Sequence, residues 1–281
     1  MNQSLDRGLL LGDGLFETVL LRNGRPFRLG RHLARLEEGA SRVGIPVPDD
    51  LEGRIDETLR RARRRVDTPA SEDAPRWEAL RITLTRGPGD GLIPPEDPAP
   101  GLYLRVRTIR RAPPAERPGI SAVTAGRVDE RALSNALKST GYLERILAHR
   151  EARRQGADEA ILLNSRDRMV EGSASNLFRV REGVLYTPGC REGALPGVTR
   201  AVLLELAASM GIPLGEGPAA PTPEEAYTDC ELFLSSSIRG PIALVRLDGT
   251  PIGPTEREGR PGPVFSRLAE ALERLIESES G

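Results

Sequence analysis

The stretch SNALKSTGYLERILAHREARRQGADEAILL, residues 134–163, joins a lysine to an amphipathic helix and a following strand. Lys138 is the only lysine among the 40 Lys and Arg residues of this 281-residue chain. An arginine keeps its proton in a protein, whereas a lysine amine can be tuned to its neutral form and attack a carbonyl. The lone lysine therefore indicates a chemical role, with an ordinary exposed lysine as the alternative.

The composition favours a globular protein with two domains, because the chain is longer than one typical hydrophobic core. The net charge of −1 gives no overall field that would attract nucleic acid or an anionic membrane. Cys190 and Cys230 lack metal-ligand spacing, and His32 and His149 are too few for a multi-histidine site, so no metal is expected. The absence of a signal peptide and of long apolar runs predicts a cytoplasmic protein without membrane spans.

The first part of the chain predicts a small N-terminal α/β domain over residues 1–112. Asn23-Gly24 favours a tight hairpin turn between two strands. A helix with its stop at Gly44 follows, in the segment GRHLARLEEGASRVG. A second helix is predicted for LEGRIDETLRRARRRV, and two half-buried strands for WEALRITLTRG and GLYLRVRTI. The proline-rich residues 113–120 are the predicted interdomain linker.

Residues 121–281 predict a larger C-terminal domain. The segment YLERILAHREARRQG has the spacing of a helix, and Leu143, Ile146, Leu147 and Ala152 are expected to face inward. Strands are predicted for ISAVTA, DEAILLN, MVEGSASNLFRVREGVLYTP and CELFLSSS, and helices for GVTRAVLLELAASMG and SRLAEALERLIESES. Strands and helices do not alternate strictly, which is typical of the α+β class.

Four short stretches carry residues suited to binding an anion or an aromatic ring. RMVEGSASNLF puts Glu171 at the end of a strand, and LPGVTRAVLL puts Val198 and Thr199 at a helix start, where free N–H groups bind phosphate. LFLSSSIRG ends a strand with three hydroxyls, and RHLARL offers Arg35 on a helix. Each stretch alone is more typical of ordinary surface or loop structure.

Together and in this order, the stretches resemble the class IV aminotransferase family of pyridoxal-phosphate enzymes (fold type IV). The resemblance runs from GDGLFET at Gly12 to SSSIRG ending at Gly240, and its most specific part combines LK, EGSASNLF and LPGVTR. It implies a two-domain α+β fold like that of D-amino-acid aminotransferases, with pyridoxal 5′-phosphate between the domains. It also implies a homodimer that acts on amino acids and 2-oxo acids.

The same resemblance implies a role for each matching residue. Lys138 matches the lysine that forms a Schiff base with the cofactor, and Glu171 matches the carboxylate that pairs with the pyridine nitrogen. Arg35 matches an arginine on the cofactor phosphate. Tyr142 resembles the tyrosine that hydrogen-bonds the ring hydroxyl, although branched-chain enzymes place it one residue further from the lysine. The remaining phosphate contacts match Val198, Thr199, Ser236 and Ser237.

The residues that hold substrate carboxylates distinguish members of the family. D-amino-acid and lyase types carry a second arginine five residues after the one in Arg86-Gly87, and here that position is Gly91. Arg81 has a counterpart in branched-chain enzymes. Arg22 shares its predicted strand face with Phe16, Thr18 and Leu20. Arg22 and Arg81 are therefore the candidate carboxylate clamps, with solvated strand arginines as the alternative.

These observations predict a pyridoxal-phosphate-dependent aminotransferase that moves an amino group between an amino acid and a 2-oxo acid. A 4-amino-4-deoxychorismate lyase, which releases pyruvate and 4-aminobenzoate, is the second hypothesis. A third is a pyridoxal-phosphate-binding protein without turnover, which an altered Lys138 or Glu171 would have favoured. The sequence leaves open the amino donor and its L or D configuration.

Overall fold

The computed structural model describes residues 5–64, 75–217, 219–228, 230–253 and 259–280. The chain forms two compact units, of which unit 1 comprises Met1–Arg111, Leu137–Gly141 and Ile276–Gly281, and unit 2 comprises Ala112–Ala136 and Tyr142–Leu275. Two later segments of the chain thus belong with the N-terminal unit. The contiguous boundaries given above, 1–112, 113–120 and 121–281, remain a prediction.

Unit 1 is an antiparallel four-stranded sheet with helices against it. Its helices are α1 Arg7–Leu11, α2 Leu29–Val43 and α3 Leu51–Arg64, and its strands, in the order β2-β1-β3-β4, are β1 Gly14–Arg22, β2 Arg25–Pro26, β3 Trp77–Thr85 and β4 Gly101–Thr108. The predicted turn is confirmed, since Asn23 and Gly24 have φ of 53° and 74°. The predicted stop at Gly44 is also confirmed, whereas residues 65–66 of the second predicted helix lie outside the described residues.

The two faces of β1 have different surroundings because side chains alternate along a strand. Leu15, Val19 and Leu21 pack into the core with α2 and α3. The opposite face carries Phe16 and Thr18, which pair in register with Thr83 and Arg81 of β3. This second face is the part of unit 1 that holds the candidate site.

Unit 2 is built on an eight-stranded sheet in the order β10-β11-β5-β6-β7-β8-β9, with β12 beside β11. Its strands are β5 Ile120–Arg127, β6 Glu159–Leu163, β7 Met169–Gly172, β8 Asn176–Arg181, β9 Val184–Tyr186, β10 Cys230–Ser236, β11 Gly240–Leu247 and β12 Thr250–Pro251. Its helices are α4 Leu143–Arg154, α5 Val198–Ser209, α6 Pro223–Ala226 and α7 Pro263–Ser280, whose last residues cluster with unit 1. Because β10 also pairs with β8, six strands close into a ring. Helices combined with mainly antiparallel strands confirm the α+β class.

The predicted inward face of α4 is wrong at three of its four positions. Leu143, Ile146 and Leu147 are 65%, 57% and 40% exposed, whereas Ala152 is buried as predicted. The helix packs on the sheet through alanines, and a Cβ added to Gly126 of β5 would lie 2.9 Å from the Ala148 Cβ. Such close approach needs small side chains, so the larger aliphatic residues of α4 turn away from the sheet.

Candidate active site

Lys138 belongs to a short segment that pairs antiparallel with the start of β1. The Lys138 carbonyl accepts a hydrogen bond from the Phe16 N–H at 2.9 Å, and the Thr140 N–H donates to the Gly14 carbonyl at 2.9 Å. These bonds on both sides of the lysine set its position against the strand. As a result, the Lys138 Nζ lies 4.6 Å from the centre of the Phe16 ring.

The guanidinium of Arg81 contacts the same aromatic ring. Its Cζ lies 3.3 Å from the centre of the Phe16 ring, and its Nε donates to Thr83 Oγ1 at 3.2 Å. Unit 1 therefore brings the amine of Lys138 and the cation of Arg81 to one ring. A primary amine and a guanidinium that contact one aromatic ring are groups suited to a substrate that carries both a carbonyl and a carboxylate.

Arg22 lies elsewhere on the same sheet. Its Nη2 is 3.9 Å from Glu277 Oε1, and its Cζ is 5.9 Å from the centre of the Trp77 ring. Arg22 lies six positions after Phe16, which corresponds to about 20 Å along β1. The structure does not bring Arg22 together with Lys138 and Arg81, and its role as a carboxylate clamp remains a prediction.

Arg35 forms a buried ion pair that the sequence did not predict. Its Nε and Nη2 donate to the two oxygens of Glu17 at 2.7 and 2.8 Å, and the His32 Nδ1 lies 2.7 Å from Glu17 Oε2. Glu17 is fully buried. Two hydrogen bonds of this fork geometry fix the plane of the Arg35 guanidinium. Arg35 is thus rigidly oriented, and its contact with a cofactor phosphate remains a prediction.

The Glu17 carboxylate is held in its charged form. Burial acts to raise the pKa of Glu17, but the hydrogen bonds from His32 and Arg35 outweigh it and lower the pKa from its usual 4.5 to about 2. The ion pair is therefore intact throughout the neutral and mildly acidic range.

Glu171 occupies the end of β7 in unit 2 and is 2% exposed. Its Oε1 accepts a hydrogen bond from Arg145 Nη2 at 2.5 Å, and its Oε2 accepts one from the Leu195 N–H at 3.0 Å. Glu171 pairs in register with Asn176 of β8, which in turn pairs with Ser235 of β10. The Asn176 side chain donates to the Leu195 carbonyl at 2.8 Å. Glu171 and Asn176, which are neighbours across the sheet, thus both bond to Leu195 and fix the loop that leads into α5.

The residues predicted to contact the cofactor phosphate lie at the start of α5 and at the end of β10. Gly197 is the N-cap of α5, and within the described residues no side chain caps this helix. Val198 and Thr199 are its first two residues, and their backbone N–H groups carry the partial positive charge of a helix start. Ser236 ends β10 and Ser237 follows it. N–H groups and hydroxyls of this kind fit a phosphate.

A cavity of about 560 Å³ in unit 2 is lined by Tyr142, Arg145 and Ser236, among other residues. Its volume is in the range of small-molecule sites. Ser175 and Ser235 also line it, whereas its lining residues do not include Glu171, Val198, Thr199 or Ser237. The cavity therefore contains two of the predicted cofactor contacts, Tyr142 and Ser236, and the other contacts of unit 2 remain predictions. A buried carboxylate, backbone N–H groups at a helix start and serine hydroxyls are the chemical groups that a phosphorylated pyridine ring requires.

Sequence reasoning missed Glu17, Arg145 and the contacts of Phe16. Glu17 had a detectable signal, because it stands between Leu15 and Val19 on the core-facing side of a strand, where a charge needs a partner. Arg145 had no such signal, since an arginine on the first turn of a helix is usually solvated. Among the described residues, no cluster of three or more His, Cys, Asp or Glu could hold a metal ion. The described helices include none that is long and apolar enough to cross a membrane.

Known proteins resemble this chain over most of its length. A family model described as amino-transferase class IV matches residues 14–246. A Methanocaldococcus jannaschii protein named "Putative branched-chain-amino-acid aminotransferase" is 36% identical over 247 residues, which cover 87% of this chain and 82% of that protein. The D-alanine aminotransferase of Staphylococcus aureus strain N315 is 30% identical over 277 residues, covering 98% of this chain and 92% of that enzyme.

Solved structures agree with these matches. The branched-chain amino acid aminotransferase of Escherichia coli superposes with a TM-score of 0.84 at 28% identity, covering 99% of this chain and 90% of that one. The 4-amino-4-deoxychorismate lyase of Pseudomonas aeruginosa gives a TM-score of 0.77 at 33% identity, covering 96% and 93%. The fold is that of the fold type IV aminotransferases, as predicted. The chain belongs to the class IV aminotransferase family and is an enzyme of the pyridoxal-phosphate transaminase type.

Proposed function

We propose that this aminotransferase uses Lys138 as the residue that carries pyridoxal 5′-phosphate and Glu171 as the partner of its pyridine nitrogen. Tyr142 contacts the ring hydroxyl in this proposal, and Arg35 contacts the phosphate. The other phosphate ligands are the start of α5, at Val198 and Thr199, and the hydroxyls of Ser236 and Ser237. When bound, pyridoxal phosphate supplies an electron sink that eases removal of the substrate α-proton.

The observation that carries the proposal is the shared contact of Lys138 and Arg81 with Phe16. Lys138 Nζ is 4.6 Å and Arg81 Cζ is 3.3 Å from the ring centre. In this proposal the carboxylate of an amino acid pairs with Arg81 while its α-carbon lies within reach of the Lys138 amine. With the cofactor bound, the free amine of Lys138 would take the α-proton at Nζ and pass it to the ring-attached carbon of the cofactor, and the reverse transfer would serve the second substrate.

The substrates proposed are an amino acid and a 2-oxo acid. Similar proteins include branched-chain and D-alanine aminotransferases, so both L- and D-amino acids are candidate donors. The test offers L-leucine, L-alanine and D-alanine separately to the holoenzyme with 2-oxoglutarate, and measures glutamate formation with its configuration. Formation of glutamate from one of these donors supports the proposal, and turnover of none of them contradicts it.

Likeness to the Pseudomonas aeruginosa lyase, at 33% identity, makes 4-amino-4-deoxychorismate lyase activity the second candidate. The same purified protein should then release pyruvate and 4-aminobenzoate from aminodeoxychorismate without needing a 2-oxo acid. Transamination without lyase activity would exclude this candidate.

We also propose that the protein is a cytoplasmic homodimer. The exposed aliphatic residues of α4, Leu143, Ile146 and Leu147, support an interface with a second copy, because such a face is usually covered.

A further inference from the structure

Arg145 is the cation that contacts Glu171, and no motif of the sequence singles it out. It lies on the first turn of α4, three residues after Tyr142, and its side chain is 23% exposed. Besides its 2.5 Å bond to Glu171 Oε1, its Nη1 lies 3.3 Å from the Ser173 carbonyl and 3.4 Å from the Gly172 carbonyl. The guanidinium is thus fixed by three acceptors from β7 and the turn after it.

These contacts decide the charge of Glu171. A buried carboxylate without a cation nearby favours its neutral form, because burial removes the water that stabilises the charge. The Leu195 N–H contributes a single neutral donor at 3.0 Å. Arg145 contributes a full charge and a short hydrogen bond, which is the stronger kind of interaction. Glu171 therefore depends mainly on Arg145 for its negative charge.

We propose that Arg145 is a positioning residue that keeps Glu171 ionised and oriented, so that the carboxylate prefers a protonated pyridine nitrogen in the cofactor. This inference rests on the proposed role of Glu171. Arg145 acts through Glu171 in this scheme.

Other titratable groups near Glu171 have partners of their own. Tyr142 of α4 has its ring 5.4 Å from the Arg145 Cζ. Glu159 of β6 accepts a hydrogen bond from the Ser173 hydroxyl at 2.5 Å and lies 3.4 Å from His149 Nδ1. From α5, Arg200 turns towards Thr187, to which its Nε donates at 3.0 Å. On β8 and β10, the cross-strand neighbours Asn176 and Ser235 are neutral.

The test compares two ligands of the apoenzyme at several pH values. One is pyridoxal phosphate, and the other is its deaza analogue, in which a C–H replaces the ring nitrogen. The measured quantity is the ratio of their dissociation constants, from fluorescence titration between pH 6 and pH 9. Wild type should prefer pyridoxal phosphate by roughly ten- to a hundredfold, the usual size of a hydrogen bond to a charged group.

Arg145→Met should lose most of this preference, because the cation that holds the Glu171 carboxylate is removed. Arg145→Gln keeps hydrogen-bond donors without the charge and should behave in the same way, which covers failure of the Met variant to fold. Arg145→Lys restores the charge and should restore the preference. Arg154→Met removes an exposed arginine from the same helix and should leave the ratio unchanged.

The variant Glu171→Gln distinguishes the proposed role of Glu171 from the proposed role of Arg145. In that background the preference should already be absent, and adding Arg145→Met should change nothing further. A wild-type protein without any preference would overturn both the role of Glu171 and the role of Arg145. A preference that Glu171→Gln abolishes but Arg145→Met and Arg145→Gln leave intact at every pH would overturn the inference alone. An equal loss of affinity for both ligands would also overturn it, because a structural defect acts in that way.

Discussion

Lys138 is the residue on which covalent attachment of the cofactor is expected to depend. Reduction of the holoenzyme with borohydride should fix the cofactor on Lys138, as detected by mass spectrometry of the labelled peptide. Lys138→Ala should bind cofactor only non-covalently and lose transaminase turnover by about 10²- to 10⁴-fold or more, because no amine remains to move the α-proton. Lys138→Arg is the matched control, since it keeps the charge without a neutral amine. A label on any other residue would refute the assignment.

Arg81 is expected to bind a substrate carboxylate from its place against Phe16. Arg81→Ala should raise the KM for 2-oxoglutarate at least about tenfold, which is 1.4 kcal/mol, because a bidentate partner is lost. Cofactor affinity should stay the same. Arg105→Ala is the control, because Arg105 pairs with Arg81 across the strands but is exposed. Arg22→Ala tests the second predicted clamp in the same assay, and an unchanged KM in both variants would exclude both arginines.

At this scale the sequence predicts residues that stand in recognisable motifs, such as Lys138 and Glu171. It does not predict Arg145, because the contact with Glu171 joins positions 26 residues apart. The partner of Arg35 was also missed, since Glu17 and Arg35 become neighbours only when α2 packs on β1. Ion pairs between elements depend on packing geometry, which spacing along the chain does not contain.

At the scale of elements, the ion pair between β1 and α2 makes their packing sensitive to acid. Glu17 has its pKa lowered from 4.5 to about 2, so its contribution to stability is complete above pH 4.5 and is lost as the pH falls through 2. That shift corresponds to about 3 kcal/mol. Urea unfolding of the apoprotein should show this loss between pH 4.5 and 2 in wild type.

Glu17→Gln should lower the free energy of unfolding by about 3 kcal/mol at pH 7 and should flatten its pH dependence between pH 4.5 and 2. Glu57→Gln is the control, because Glu57 makes an exposed pair with Arg61 within α3 and such pairs contribute little. Equal pH profiles for wild type and Glu17→Gln would show that the pair does not couple β1 to α2.

The start of α5 depends on the absence of a side chain at Gly197. A Cβ there would lie 1.9 Å from Asn176 Oδ1, and Asn176 is held by the Leu195 carbonyl. Gly197→Ala should therefore displace the helix start and weaken pyridoxal-phosphate binding to the apoenzyme by roughly three- to thirtyfold, the range for anions at helix ends. Calorimetric titration measures this. Gly189→Ala, where a Cβ meets nothing within 4 Å, should bind normally.

Local signals predicted some elements better than others. A tight hairpin turn requires left-handed backbone at its two central residues. Asn23 and Gly24 tolerate that conformation, so the hairpin forms there. The inward face of α4 could not be predicted from hydrophobicity, because close packing against Gly126 selects Ala148 over Leu147. Periodicity identifies the helix, whereas its rotation depends on the surface beneath it.

For the whole molecule, the exposed aliphatic face of α4 predicts self-association. Ile146→Asp should convert the expected dimer to monomers in sedimentation experiments, because an unpaired buried charge costs about 3 kcal/mol or more and raises Kd by roughly 10²-fold or more. Arg154→Asp places the same charge at the far end of the helix and should leave the dimer intact. A wild-type protein that sediments as a monomer at micromolar concentration would refute the prediction.

Unit 1 takes strands from the first part of the chain and support from two much later segments. Residues 137–141 bond to the start of β1, and Glu277 and Glu279 pair with Arg22 and Arg28. On the ribosome, β1 emerges long before these partners, and about 165 residues separate Arg111 from Ile276. At ordinary rates of translation this interval lasts on the order of ten seconds or more. The unit whose synthesis begins first is therefore the last to be completed, and its four strands are made long before the segments that support them.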